Sequence, residues 1–225
     1  MKKLNMTVNG LSSSILESMQ TLRSNILYSN DTKTVSFTST APYEGKSVLS
    51  FYTAVSFASL SRKTLFIDCD MRKSQIRTYF NLDSQSEVLT GLSEYITGQS
   101  KEAIYETDDP NLHVIPCGKC PPDPGGILSS DAFARLMEKV QKEYDHIVID
   151  TPPVTVAGDA CVVGRNADGV IYVVRDDEIR SRDARHCVEL LERSDCRIIG
   201  IVSNLVKRMN QGSYYYRNYG DYENS

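Results

Sequence analysis

Residues 34–47 read Thr34-Val-Ser-Phe-Thr-Ser-Thr-Ala-Pro-Tyr-Glu-Gly-Lys-Ser47, which predicts a short strand, a Pro/Gly turn and the start of a helix. Elsewhere in the chain, short apolar runs alternate with segments of helical periodicity; these runs begin near residues 64, 112, 146, 169 and 197. Such alternation is typical of right-handed βαβ crossovers. The sequence therefore predicts an α/β fold, a doubly wound, mainly parallel sheet with helices on both faces. Ligands of such sheets bind beyond the carboxyl ends of the strands.

The Pro/Gly turn has the composition of a phosphate-binding loop. Gly45-Lys46-Ser47 stands at the predicted helix start, although Thr40 occupies the position of the first glycine in the strict P-loop pattern. Gly45 lets the backbone pass close to a phosphate, Lys46 can reach the β- and γ-phosphates, and Ser47 can hold Mg²⁺. A plain loop with a lysine at the helix start is the alternative interpretation.

Aspartates follow two further predicted strands. Asp68 and Asp70 are two residues apart at a strand end, so their side chains point the same way, which is costly unless a cation lies nearby. Mg²⁺ favours such carboxylates, and one of them can instead be the base that accepts a hydroxyl proton. Asp150 follows another apolar strand, in the Walker B arrangement. Solvated strand ends are the alternative for each motif, but the three motifs together predict one Mg·nucleotide site.

Composition excludes several classes of protein. The 225 residues carry a net charge of −4, which argues against a basic nucleic-acid-binding surface. The longest mostly apolar stretch, residues 48–60, is too short and too polar to be a transmembrane segment, and no apolar signal-peptide region follows the N-terminus. The six cysteines are scattered, as reduced thiols are. We therefore expect a cytoplasmic protein.

The chain divides into a predicted domain at residues 1–206 and a predicted flexible tail at residues 207–225. An amphipathic helix over about residues 12–29 opens the domain, because Ile15, Met19, Leu22 and Ile26 recur at helical spacing. The tail lacks a hydrophobic pattern, yet it holds five of the 13 tyrosines. These tyrosines either bind a partner or, because the chain also has a predicted phosphoryl-transfer site, are the substrate of that site.

At its three strand-end motifs, its first helix and its tail, the chain resembles the bacterial tyrosine kinases of the capsular and exopolysaccharide type. These kinases are P-loop proteins related to the MinD/ParA ATPases. The tail resembles the tyrosine cluster that ends these kinases, and the first helix resembles their oligomerisation helix. Four motifs carry the likeness, namely Walker A at Pro42 to Ser47, Walker A′ at Asp68, Asp70 and Arg72, Walker B at Asp150 to Pro152, and the helix motif at Glu17 and Arg23.

The resemblance implies an ATP- and Mg²⁺-dependent protein-tyrosine kinase. Lys46 would stabilise the transferring phosphoryl group, and Asp68 would be the base for the tyrosine hydroxyl. Ser47 and Asp70 would hold Mg²⁺, with Asp150 helping through water. Further nucleotide contacts are implied at Pro42, Glu44, Gly45, Val48, Arg72 and Asn204. Three departures from the family pattern stand out, since Val48 stands where threonine is usual, Gln20 where arginine is usual, and Gly125-Gly126 where a more helix-friendly pair is usual.

The resemblance also implies partners and a location. The kinase would form a homo-oligomer through Glu17 and Arg23 and would phosphorylate tail tyrosines in trans, at Tyr214, Tyr215, Tyr216, Tyr219 and Tyr222. The short chain resembles the two-chain form from Gram-positive bacteria. In that form a separate membrane adaptor activates a cytoplasmic kinase at the inner face of the membrane, and the kinase regulates polysaccharide synthesis and export.

Other functions fit parts of the sequence. A MinD/ParA-like ATPase that positions or loads a partner is the main alternative, although such proteins usually carry an early P-loop lysine where this chain has Thr40 and Ala41. Cys117-Gly-Lys-Cys120 could serve an iron–sulfur cluster shared across a dimer, but no second pair follows. The histidines show no spacing typical of a zinc site. A non-enzymatic scaffold is the remaining class, if Val48 has disabled ATP binding.

Overall fold

The computed structural model describes residues 2–4, 12–29, 32–76, 90–175 and 181–205. The tail predicted at residues 207–225, with all five of its tyrosines, lies outside the described residues. The site residues predicted in the folded domain all lie within them.

Eight strands of the described chain form one sheet in the order β1-β4-β5-β3-β6-β2-β7-β8. Neighbouring strands are parallel except β4 and β5, which are antiparallel. The predicted doubly wound, mainly parallel sheet is therefore confirmed. The strands are β1 (Lys2–Lys3), β2 (Thr34–Ser39), β3 (Thr64–Asp68), β4 (Tyr105–Glu106), β5 (Leu112–Ile115), β6 (His146–Asp150), β7 (Gly169–Arg175) and β8 (Ile198–Asn204).

Helices cover both faces of this sheet. One face packs against the first two helices through a core that includes Phe37, Phe51 and Phe66, and the other face packs against α5 through a core that includes Ile67 and Phe133. Strands buried on both sides need apolar residues at nearly every position, which explains their continuous apolar runs. The helices are α1 (Ser13–Tyr28), α2 (Lys46–Ala58), α3 (Leu92–Ile96), α4 (Pro124–Leu128), α5 (Asp131–Glu143), α6 (Asp159–Arg165) and α7 (Ser181–Arg193).

The proline, glycine and cysteine content of residues 117–126 predicts a loop, but the end of this prediction is wrong, because α4 begins at Pro124. Asp123 caps this helix by accepting a hydrogen bond from the Gly126 N–H at 3.0 Å. Pro124 suits the first helical position, because a backbone N–H there would have no intrahelical acceptor. Within the described ranges, no helix has both the length and the hydropathy that crossing a membrane requires.

Strand register brings the predicted motifs to one edge of the sheet. Asp68 at the end of β3 is the register partner of Asp150 at the end of β6. Strand β2 lies on the other side of β6, pairs Phe37 with Asp150, and leads directly into the Pro/Gly turn before α2. The carboxyl ends of three adjacent parallel strands therefore meet where ligands of such sheets bind.

Candidate active site

The turn between β2 and α2 has the backbone of a phosphate cradle. Gly45 stands immediately before α2 with a φ of +86°, and the first N–H groups of a helix have no intrahelical acceptor and can bind an anion. Asn204, at the end of β8, donates a hydrogen bond from Nδ2 to the carbonyl of Glu44 at 2.9 Å. A Cβ added at Gly45 would lie 2.1 Å from the same Nδ2, so the loop requires glycine there.

The start of this loop is anchored to β7. Thr40, which replaces the first glycine of the P-loop pattern, shares a hydrogen bond between its hydroxyl and the hydroxyl of Tyr172. The Thr155 hydroxyl also donates to the Thr40 carbonyl at 2.5 Å. The sequence analysis missed Tyr172, which reads as an ordinary aromatic residue of an apolar strand.

Lys46 lies between two aspartates from different strand ends. Its Nζ is 3.0 Å from Asp70 Oδ2, 3.5 Å from Asp150 Oδ1 and 3.1 Å from Ser47 Oγ, and all four residues are buried. Burial disfavours the charged ammonium, but Asp150 and Asp70 outweigh it and raise the pKa of Lys46. Burial raises the pKa of Asp150, against the opposing effect of Lys46. The structure therefore brings together the four residues that the sequence assigned to phosphate and Mg²⁺.

Asp68 is fully buried beside this group. Its Oδ1 accepts a hydrogen bond from the Asp70 N–H at 3.0 Å, and its Oδ2 accepts one from the Ser74 hydroxyl at 2.5 Å. Burial and the nearby charge of Asp150 raise the pKa of Asp68 to about 7. A carboxyl group with this pKa can take up a proton near neutral pH. Ser74 was missed because it lies in a loop without periodicity, six residues beyond Asp68.

The donor set fits Mg²⁺. Ser47, Asp70 and Asp150 present only oxygen ligands, and Asp150 Oδ2 is buried without a hydrogen-bond partner among the described residues. Mg²⁺ usually takes one or two carboxylates and fills its octahedron with water and phosphate oxygens. Two carboxylates and one hydroxyl are therefore enough to hold the ion that the sequence predicts here.

Two residues predicted to contact nucleotide face other partners. Arg72 is ion-paired with Asp159 at the start of α6, with Nε 2.8 Å from Oδ2. Glu44 turns its buried carboxylate back into the loop, where Oε2 accepts the Ala41 N–H at 3.0 Å, and burial raises its pKa. Their contacts with a nucleotide stay predictions. Asp159 was missed because no motif connects a helix start with an arginine 87 residues earlier.

A cavity of about 440 Å³ opens above this cluster. Part of its wall is formed by apolar side chains of α1, α2 and the residue after β8, including Ile15, Met19, Tyr52 and Leu205. The sequence analysis did not assign α1 to the site. The cavity is lined by eight of the predicted site residues, namely Pro42, Gly45, Lys46, Ser47, Val48, Asp70, Arg72 and Asn204.

Helix α1 carries the two residues predicted to mediate oligomerisation. Glu17 is exposed, whereas Arg23 donates from Nη1 to the carbonyl of Ser56 at 2.7 Å and to its hydroxyl at 3.1 Å. Arg23 thus fastens α1 to α2 of the same chain. A contact of either residue with a neighbouring subunit stays a prediction.

The two cysteines of the Cys117/Cys120 pair differ in their exposure. Cys117 is buried and Cys120 is exposed, and the backbone between them is held by Glu94, whose Oε1 accepts the Lys119 N–H at 3.0 Å. Among the residues that the structure describes, no group of three or more His, Cys, Asp and Glu side chains is arranged to hold a metal.

Comparison with known proteins gives a consistent relationship. Residues 32–171 match the family model described as an AAA domain. The chain is 32% identical to the tyrosine-protein kinase CpsD of Streptococcus agalactiae, over 92% of this chain and 89% of that protein. It is 35% identical to the putative tyrosine-protein kinase CapB of Staphylococcus aureus, over 91% of this chain and 90% of that protein.

Solved structures agree with these relatives. The chimerical protein CapA2B2 superposes with a TM-score of 0.81 at 32% identity, covering 88% of this chain and 87% of that one. The kinase domain of the Escherichia coli tyrosine kinase ETK superposes with a TM-score of 0.82 at 26% identity, covering 92% and 85%. The MinC:MinD complex of Aquifex aeolicus matches at a TM-score of 0.62 and 21% identity, covering 78% and 69%, which shows a shared fold alone.

Proposed function

The chain belongs to the bacterial tyrosine-protein kinases, and its residues 32–171 form an AAA domain. From this premise we propose that it phosphorylates its own C-terminal tyrosines in trans. Its substrates would be Mg·ATP and the cluster at residues 214–222 of a neighbouring subunit. One observation carries the proposal, the convergence of Lys46, Ser47, Asp70 and Asp150 on one buried point beside a helix N-terminus.

This convergence suits phosphoryl transfer because that reaction needs positioned charge more than covalent chemistry. The loop and the first turn of α2 would bind the phosphates through backbone N–H groups. The Lys46 ammonium would move from Asp70 and Asp150 to the oxygens of the γ-phosphoryl group. When bound, Mg²⁺ would supply positive charge that neutralises the phosphates, held by Ser47 and Asp70 directly and by Asp150 through water.

Asp68 would receive the proton in this reaction. A tyrosine oxygen forms a bond to the γ-phosphorus, the bond from that phosphorus to the bridging oxygen of ADP breaks, and the phenolic proton passes to the Asp68 carboxylate. The Ser74 hydroxyl donates a hydrogen bond to Asp68 Oδ2, and the substrate tyrosine hydroxyl would replace Ser74 as the donor to this oxygen. The raised pKa of Asp68, about 7, suits a proton acceptor that works near neutral pH.

The position of Leu205 supports the tail as substrate. This last described residue lines the cavity, so the next residue of the chain begins at the rim of the site. Eight residues lie between it and Tyr214, and a segment of that length, with the flexibility that the sequence predicts, would span roughly 16 Å. Both a chain's own site and a neighbour's lie within reach of such a segment, so the trans route needs a direct test.

That test mixes two full-length variants with Mg·ATP. The first is Lys46→Met, which keeps the tail tyrosines but lacks the catalytic lysine. The second keeps Lys46 and has phenylalanine at all five tail tyrosines. We expect phosphate on the Lys46→Met chain only in the mixture, because each variant alone lacks one half of the reaction. A wild-type control that phosphorylates its tail while the mixture yields no phosphate would contradict transfer in trans.

We further propose that the kinase acts at the cytoplasmic face of a membrane. A membrane adaptor would activate it there, and the phosphorylation cycle would regulate synthesis and export of capsular or exopolysaccharide. Support comes from the likeness to CpsD and CapB over nearly their whole length. Kinase activity that is unchanged when the cytoplasmic segment of the adaptor is added would contradict this part of the proposal.

A further inference from the structure

The first turns of α1 lie beside the phosphate-binding end of α2. Arg23, late in α1, bonds to Ser56 near the end of α2, while Ile15 and Met19, early in α1, line the same cavity as Gly45. The two helices therefore run parallel, and their N-termini meet at the cavity. Ile26 of α1 belongs to the same hydrophobic cluster as Ile171 of β7, and Leu22 packs against that cluster.

The strand order separates the two ends of the cavity. The acidic strand ends β3 and β6 lie on one side of β2, and β7 and β8 lie on the other side. The phosphate loop follows β2 and therefore lies between them. Because Asp70 and Asp150 contact Lys46 from the β3/β6 side, the reacting end of a bound nucleotide belongs there. Its nucleoside then extends toward β8, past Val48 and Leu205.

The wall on that side is apolar. Val48 follows Ser47 on the first turn of α2, Tyr52 lies one turn further along, and Ile15 and Met19 of α1 complete the wall. Met19 is buried, as is Ile26 further along the same stripe, but Ile15 is 47% exposed. Packing against α2 therefore leaves about half of Ile15 uncovered, at the position where the stripe meets the cavity.

We propose that α1 forms part of the nucleotide site, with Ile15 and Met19 making apolar contact with the base and ribose of the bound nucleotide. This inference rests on the proposed use of ATP and adds two binding residues to it. Val48 strengthens the same wall, because it offers a methyl surface at the start of α2 where a hydroxyl would favour phosphate. If nucleotide binding changes the affinity of α1 for a neighbouring subunit, that subunit changes nucleotide affinity by the same factor.

The test compares two alanine variants of the full chain. Ile15→Ala shortens a side chain that lines the cavity, and Leu16→Ala shortens its neighbour, which is also 47% exposed but does not line it. Calorimetry measures binding of Mg·ADP, and of Mg·tripolyphosphate as a probe that lacks the nucleoside. We expect Ile15→Ala to weaken ADP binding about three- to tenfold and Leu16→Ala to leave it unchanged, with tripolyphosphate bound equally by both variants.

Several outcomes would overturn the inference. Equal ADP affinity in Ile15→Ala and wild type would remove Ile15 from the site, and an equal loss in Leu16→Ala would indicate a general change in α1. A matching loss of tripolyphosphate affinity would move the contact from the nucleoside to the phosphates. A wild-type chain that binds neither ligand would instead contradict the proposed nucleotide site itself.

Discussion

Replacing Lys46 by methionine should destabilise the protein as well as inactivate it. Methionine keeps most of the side-chain volume but removes the ammonium group that lies 3.0 Å from Asp70 and 3.5 Å from Asp150. At an effective dielectric constant of about 20, each contact is worth roughly 5 kcal/mol before the opposing cost of desolvation. Removing one partner of a buried ion pair costs about 3–5 kcal/mol, which lowers the melting temperature of a chain this size by about 6–20 °C.

The loss should depend on pH in a specific direction. Without Lys46, Asp70 and Asp150 repel each other in a buried site, and protonation of Asp150, whose pKa burial already raises, relieves the repulsion. We therefore expect the melting temperature of Lys46→Met to lie further below wild type at pH 8 than at pH 6. The matched control is Lys139→Met, which removes an exposed lysine from the middle of α5 and should change the melting temperature little.

Thermal melts of the three proteins by circular dichroism, beside a phosphorylation assay, give both readouts. Kinase activity should fall at least about 100-fold, because Lys46 would no longer stabilise the transferring phosphoryl group. A Lys46→Met variant that melts with wild type at both pH values would refute the buried ion-pair reasoning. A folded variant with wild-type activity would refute the site.

Four further predictions concern the carboxylates, the first helix and the tail. Asp68→Asn and Asp70→Asn should each lower turnover about 100-fold or more, but only Asp70→Asn should raise the Mg²⁺ concentration needed, and identical Mg²⁺ titrations would refute these separate roles. The pKa of Asp68 is about 7 in the folded protein, above its ordinary 3.8, so the folded state binds its proton more tightly than the unfolded state. The stability that this proton contributes should be fully present below about pH 4 and lost as the pH rises through 7. If the unfolding free energies of wild type and Asp68→Asn fell equally over this pH range, the prediction would be wrong. Glu17→Ala should give smaller assemblies in light scattering than wild type, and equal masses would mean that α1 packs only within its own chain. Five phosphotyrosines add roughly −7 to −10 elementary charges to a chain whose net charge is already −4. Because like charges repel, phosphorylation should dissociate the assembly, and a phosphorylated species that sediments as the larger one would contradict this.

Local sequence pattern was enough to predict most of the sheet and its surrounding helices. The strand at Leu112–Ile115, for example, lies where an apolar run indicated it. Strands β1 and β4 were not predicted, because two residues carry no periodicity and their pairing depends on partners far along the chain. For the same reason the antiparallel pairing of β4 with β5 could be found only in the folded structure.

The site divides in the same way. Residues within a motif, such as Lys46 and Asp70, were found because strand ends and a helix start place them together. Their supporting residues, Ser74 and Asp159, come from a loop and a distant helix whose positions follow from tertiary packing. The contribution of α1 to the cavity was also hidden, because an amphipathic stripe indicates that a helix packs but does not show which end of it meets a ligand.

Phosphate mapping of the full chain tests the central claim most directly. Purified protein is incubated with Mg·ATP and the cytoplasmic segment of the adaptor, and phosphopeptides are located by mass spectrometry beside a Lys46→Met control. We predict phosphate on tyrosines within residues 214–222 of the wild-type chain and none on the control. Phosphate that maps outside this cluster, or that appears equally on the Lys46→Met chain, would contradict a tail phosphorylated by the Lys46 site.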